Sequence, residues 1–170
     1  MFRILAAAGV LALAVGPAAA QDAQINDAQI AHIAYTAGQL DVEAGRQALA
    51  KATDPEVRAF AETMVRDHAA VNEQALALVG RLNVTPEANP VSAALTEQAA
   101  ASHARLAGLE GEAFDRAYVQ NEVAFHRTVN EALSGTLIPS AQNPELKALL
   151  ETGLELFRAH QTHAEQLGAQ

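Results

Sequence analysis

Cysteine and tryptophan are absent from the 170 residues, methionine occurs twice, and aromatic residues make up only 4%. Without cysteine there is no disulfide, no thiolate nucleophile or metal ligand, no lipid-modified N-terminal cysteine and no covalent haem site. Two methionines are too few for a copper-carrying methionine cluster. With so few aromatics, the core must be built mainly from Ala, Leu and Val, on helices that pack closely. There is also no Gly-rich phosphate loop and no G-x-S-x-G elbow. Ser102 and His103 are adjacent, but no acid is placed to complete a triad. Basic residues are scarce as well: 11 against 20 acidic ones, for a net charge of −9. That balance argues against nucleic acid and against an anionic membrane surface as partners.

The only long apolar run is at the N-terminus. "MFRILAAAGVLALAVGPAAA" has one charge at Arg3, an apolar stretch from Ile4 to Val15, a breaker at Gly16-Pro17, and the small residues Ala18-Ala19-Ala20. This is the pattern of a cleavable secretory signal, and the run is short for a membrane span. Residues 1–20 are therefore expected to be removed, leaving residues 21–170 as one domain in the periplasm or outside the cell. No stable membrane insertion is expected after cleavage. A protein partner or a second copy of the chain is compatible with the remainder.

The rest of the sequence is punctuated for helices. "ATDPEV" at 52–57 puts Thr53 or Asp54 at an N-cap, Pro55 in the first turn and Glu56 three residues after Thr53. "NVTPEANP" at 83–90 is a connection. "GLEGEAFD" at 108–115 carries a break, and "SGTLIPSAQNPE" at 134–145 is expected to end one helix at Gly135 and begin another at Asn143-Pro144. Four long helices follow, at about 26–52, 55–82, 112–134 and 145–167, with a shorter one at about 91–107. Apolar residues recur every three or four positions, as in Val57, Phe60, Met64, His68, Val71, Ala75 and Leu78. Nothing reads as a strand, and the pattern fits an all-α four-helix bundle with a short extra helix in its middle connection.

His68 interrupts an apolar stripe, and so do His126 and His160. Each lies about 13–15 residues into its helix, as does Asp41 on the first, or roughly 20–22 Å along each axis. Mid-helix groups share one layer whichever way a helix runs. Glu122 and His126 are i,i+4, and His160 and His163 are i,i+3, so each pair shares a helix face. A faint repeat, "HAAVNEQAL" at 68–76 and "HRTVNEAL" at 126–133, fits equivalent inward histidines. His32 and His103 read as surface residues.

Two readings of this layer stand side by side. Asp41, His68, Glu122, His126 and His160 are the donor types that suit a divalent transition metal such as zinc, copper or iron. The same groups could instead pair with one another as a buried polar network that sets the register of an Ala-rich core. Di-iron bundles use Glu-x-x-His on two helices. Here Val65, Val123 and Phe157 precede the three histidines at that spacing, which tilts the sequence reading toward the network. Function is accordingly expected to be that of a non-catalytic binding or envelope and stress-related module. A metal-binding or metal-dependent redox protein is the alternative. Buried histidines would also make the bundle acid-sensitive.

"VRAFAETMVRDHAAVNEQALAL" (57–78), "LEGEAFDRAYVQNEVAFHRTV" (109–129) and "LFRAHQTHAEQL" (156–167) together resemble the bacterial domain-of-unknown-function family DUF4142. The resemblance spans about Asp27 to Leu167. It implies an exported protein with a ferritin-like bundle and no established reaction. It carries the family motif onto Asp67, His68, Asn72, Phe114, Asp115, Tyr118, His126 and His160. The family's usual Glu on the first helix stands here as Asp41, a shorter carboxylate, with Glu43 two residues on.

Overall fold

The computed structural model describes residues 25–170, so the expected signal at residues 1–20 lies outside the described residues. Four long helices are present: α1 (Asp27–Lys51), α2 (Pro55–Arg81), α4 (Gly111–Ala132) and α6 (Pro144–Gly168). The shorter α3 (Pro90–Ala107) lies in the middle connection, and a single turn, α5 (Ile138–Ser140), precedes α6. Among the described residues there is no strand. No described helix is long and apolar enough to cross a membrane.

The helix starts follow their capping residues. The Asn26 side chain accepts from the Gln29 amide at 2.8 Å while the Gln29 side chain accepts from the Asn26 amide. Asn89 and Ser92 make the same reciprocal pair at α3. Pro follows the cap directly in α2, α3 and α6, where its missing N–H costs nothing. Of the two cap candidates before α2, Asp54 takes the role, accepting from Glu56 and Val57. Thr53 is drawn away by Asp115, which accepts from the Thr53 hydroxyl at 2.7 Å and from the Thr53 and Asp54 amides.

One expected boundary is corrected. The chain does not stop at Gly135: α4 runs into a π turn over Leu133–Leu137 and then into α5. Pro139 supplies the reason. Inside a helix its ring has no N–H to donate and crowds the carbonyl four residues back. Just before it, the Ile138 amide reaches back five residues to the Leu133 carbonyl. The widened turn accommodates the proline and keeps Leu133 and Leu137 buried.

Helix α1 packs most extensively on α2, and α4 on α6. Gly38 and Gly45 make the first contact close: a methyl at either position would overlap Asn72 or Val65 of α2. Two apolar clusters form the core of the bundle. One gathers Ala44, Ala48, Phe60, Met64, Phe114 and Tyr118; the other gathers Ile30, Ile33, Leu78, Val129, Leu150 and Phe157. Along each long helix, the residues between these clusters are polar and buried: Asp41, His68, Glu122 with His126, and His160.

Candidate metal centre

Each helix sends its polar group inward because the group occupies a stripe position between apolar neighbours. His68 lies one turn after Met64, and His126 falls between Tyr118 and Val129. His160 falls between Phe157 and Ala164. All five candidate ligands are buried, with Glu122 and His126 at 0% exposure.

The structure brings these five residues together. His68 Nε2 lies 2.6 Å from Asp41 Oδ2 and 3.3 Å from His126 Nε2. His126 Nε2 is 3.8 Å from the same Asp41 oxygen, and His126 Nδ1 is 3.6 Å from Glu122 Oε2. Ligand atoms of His68, His126 and His160 fall within 4.8 Å of one another, and so do those of Asp41, Glu122 and His126. His126 thus belongs to both groups. His163, which shares a sequence spacing with His160, is exposed and sets its ring edge-on to Phe60 at 5.1 Å. His32 and His103 are half-buried rather than fully on the surface.

Two of the imidazoles are oriented by a hydrogen bond at one ring nitrogen. His126 Nδ1 is 3.0 Å from the Glu122 carbonyl oxygen, an arrangement in which Nδ1–H donates and Nε2 presents its lone pair inward. His160 Nε2 donates to Asp67 Oδ2 at 3.0 Å, leaving Nδ1 unprotonated. Asp67 is in turn held by Arg66 at 2.8 Å. A histidine whose second ring nitrogen is tied to a carboxylate or a backbone carbonyl is the usual form of a metal ligand. The sequence pattern did not expose the role of Asp67. It stands about 100° around α2 from His68, and only the packing of α2 against α6 turns it toward His160. Phe157 completes the wall, stacked on His68 at 4.4 Å with the rings 7° from parallel.

The electrostatics of the layer are unequal. Burial alone would raise the Asp41 carboxyl, but His68 and His126 outweigh it and hold Asp41 well below the usual carboxylate range. Burial, then the charge on Asp41, push Glu122 well above it. Burial lowers His126 to about 4 against the pull of Asp41, with His68 and His160 adding to the drop. Burial also lowers His160. The layer thus favours charge on Asp41 and disfavours it on Glu122, His126 and His160.

The donor set fits a transition metal. Several buried polar atoms have no hydrogen-bond partner outside the layer: both oxygens of Asp41 and of Glu122, His68 Nδ1 and His160 Nδ1. Such orphaned atoms are costly in a native core. Ligands about 2.0–2.1 Å from one ion at near-tetrahedral angles stand roughly 3.3 Å apart, close to the His68–His126 separation. A cavity of about 140 Å³ between α1, α3 and α4 reaches Asp41, passing His103, Ser102 and Asn121. It is an approach sized for a small species.

The remaining motif residues lie outside the layer. Asp115 ties the α1–α2 turn. Phe114 and Tyr118 stack with rings 3° from parallel in the apolar cluster below the layer. Asn72 lies against Gly38.

No curated protein matches the chain. Among solved structures it is similar to a DUF305 protein from Streptomyces coelicolor, with TM-score 0.70 and 16% identity over 82% of this chain and 89% of that one. It is also similar to CopM in its Cu(II)-bound form, with TM-score 0.68 and 17% identity over 86% of this chain and 97% of that one. At these identities the likeness is one of fold. Residues 12–167 match the family described as Domain of unknown function (DUF4142), and the chain belongs to that family.

Proposed function

We propose that this is an exported helical-bundle protein that binds a divalent transition metal in its mid-bundle layer. His68, His126, His160, Asp41 and Glu122 would supply the ligands. Bound there, the metal would be held away from water by the two apolar clusters. The observation that carries the reading is the convergence of three buried imidazoles and two buried carboxylates whose oxygens have no other partner. The hydrogen bonds that orient His126, to the Glu122 backbone carbonyl, and His160, to Asp67, support it further. The Cu(II)-bound state of CopM, a protein of similar fold, makes copper the first ion to try. Export is supported by the residue pattern of positions 1–20.

The test is elemental analysis of untagged protein after incubation with Cu(II) or Zn(II) and removal of excess ion. About one equivalent per chain is expected, lost in His126→Gln with helicity retained. Asp67→Asn should weaken binding about 10- to 100-fold while hardly moving stability, because Asp67 acts through His160. Less than about a tenth of an equivalent after reconstitution defeats the proposal.

A second reading has its own observation. Within the layer His68 lies 2.6 Å from Asp41 and 3.3 Å from His126, and one ring nitrogen of His160 is held by Asp67. A purely structural polar layer would rest on those contacts alone. It would leave the metal content negligible and make the same substitutions act only on stability.

A further inference from the structure

The bundle is not filled on the far side of the polar layer. A cavity of about 250 Å³ runs between all four long helices there, bounded by Ile33, Ala37, Val129, Leu133, Leu150 and Phe157. It exceeds the engineered void of about 150 Å³ that takes up benzene. None of the residues that line it is charged. An apolar space of this size forfeits packing contacts on every side, and natural cores seldom keep one empty.

Of the polar side chains that line it, Thr128 and Thr136 are exposed and Asn72 is buried. Asn72 lines the cavity, is 3% exposed, and its Nδ2 has no hydrogen-bond partner. Gly38 opposite leaves the carboxamide its room, since a methyl there would overlap it. A buried amide donor without a partner is a standing cost, unless something in the cavity accepts from it. The metal-binding proposal does not use Asn72 or this space, although Phe157 forms a wall of both.

We infer that this cavity is a binding site for a neutral, hydrophobic small molecule larger than benzene that carries one acceptor oxygen. The apolar walls take the hydrocarbon body, and Asn72 Nδ2 donates to its carbonyl or ether oxygen. Charged ligands are excluded because no lining group could pair with them. The small residues Ala37 and Ala132 make the room, where larger aliphatics would close the space.

Prodan, a neutral naphthyl ketone whose emission shifts to the blue in apolar surroundings, is the probe. Titration of the purified protein should show saturable, blue-shifted binding at one site per chain. Ala37→Leu and Ala132→Leu each fill the cavity and should weaken binding at least about tenfold, with the thermal midpoint unchanged or raised. Asn72→Leu should weaken it less and should move the emission further to the blue, because the hydrogen bond is lost. Equal prodan binding by wild type and both filling variants would overturn the inference. So would the absence of saturable binding, including the case in which sedimentation finds a dimer that Ala37→Leu abolishes and a second copy is the occupant.

Discussion

Replacing Glu122 with glutamine should make the metal-free protein more stable at neutral pH and more sensitive to acid. Burial and then Asp41 hold the Glu122 carboxyl well above the ordinary range, so Glu122 is expected to enter the fold carrying a proton. His126 enters without one, lowered to about 4. In the unfolded chain the assignment reverses: between about pH 4.5 and 6.5 a free Glu is ionised and a free His is protonated. Folded and unfolded chains then hold one proton each on this pair, so the pair adds little slope to stability across that window. The two contributions have opposite signs. A raised Glu stabilises the fold below its ordinary value, and that stabilisation is lost as pH rises through the folded value. A depressed His stabilises above about pH 6.5, and that contribution is lost as pH falls toward the folded value.

Glutamine keeps the neutral shape and drops the titration. What remains is His126, whose fall from about 6.5 to about 4 is worth roughly 3 kcal/mol, lost as pH drops through that interval. His160 acts in the same direction. At neutral pH the variant escapes the cost of keeping Glu122 protonated, about 1.4 kcal/mol for each pH unit above the ordinary carboxyl value at which that proton is retained. The assay is guanidinium unfolding with a chelator present, at several pH values between about 4.5 and 7.5. Parallel stability curves for wild type and Glu122→Gln refute the reasoning, because they would mean that Glu122 is ionised in the fold.

Gly38→Ala gains up to about 1 kcal/mol of helix propensity. It also puts a methyl against the Asn72 carboxamide, whose Cγ lies 2.8 Å from that position. A net loss of about 1–2 kcal/mol is expected, and Asn72→Ala in the same chain should recover most of it in thermal melts. Asp115→Ala leaves the Thr53 hydroxyl and two backbone amides without their acceptor. It should cost about 3 kcal/mol by denaturant unfolding, against about 1 kcal/mol for Thr53→Ala. Equal losses from the two would place the stabilisation in the Thr53 hydroxyl alone.

The helices and the polar layer were legible in the sequence for one reason. A residue every three or four positions faces inward whatever the neighbouring helix is, so His68, His126 and His160 could be placed at one depth from spacing alone. Asp67 could not. Its place beside His160 depends on which helices are neighbours, and the pattern of α2 by itself carries no information about that. The π turn was hidden for a related reason. Gly135 is a good stop signal, but Leu133 and Leu137 each still have a buried place to fill, and the chain stays helical by widening one turn ahead of Pro139. The cavity was the least legible feature, since a stripe of alanines looks the same whether its neighbours close over it or not.

These features are connected through the choice of small residues on α1. Gly38 and Gly45 lie one turn on either side of Asp41 and bring its backbone close to α2. That approach lets the short carboxylate of Asp41 come within 2.6 Å of His68 Nε2. The alanines that continue the same face, such as Ala37, do not fill the space toward Val129 and Leu150. Enlarging this face could close the cavity, but a larger residue at Gly38 or Gly45 would push α1 away from α2 and Asp41 away from His68. The small face of α1 thus ties the geometry of the candidate metal centre to the empty space beside it.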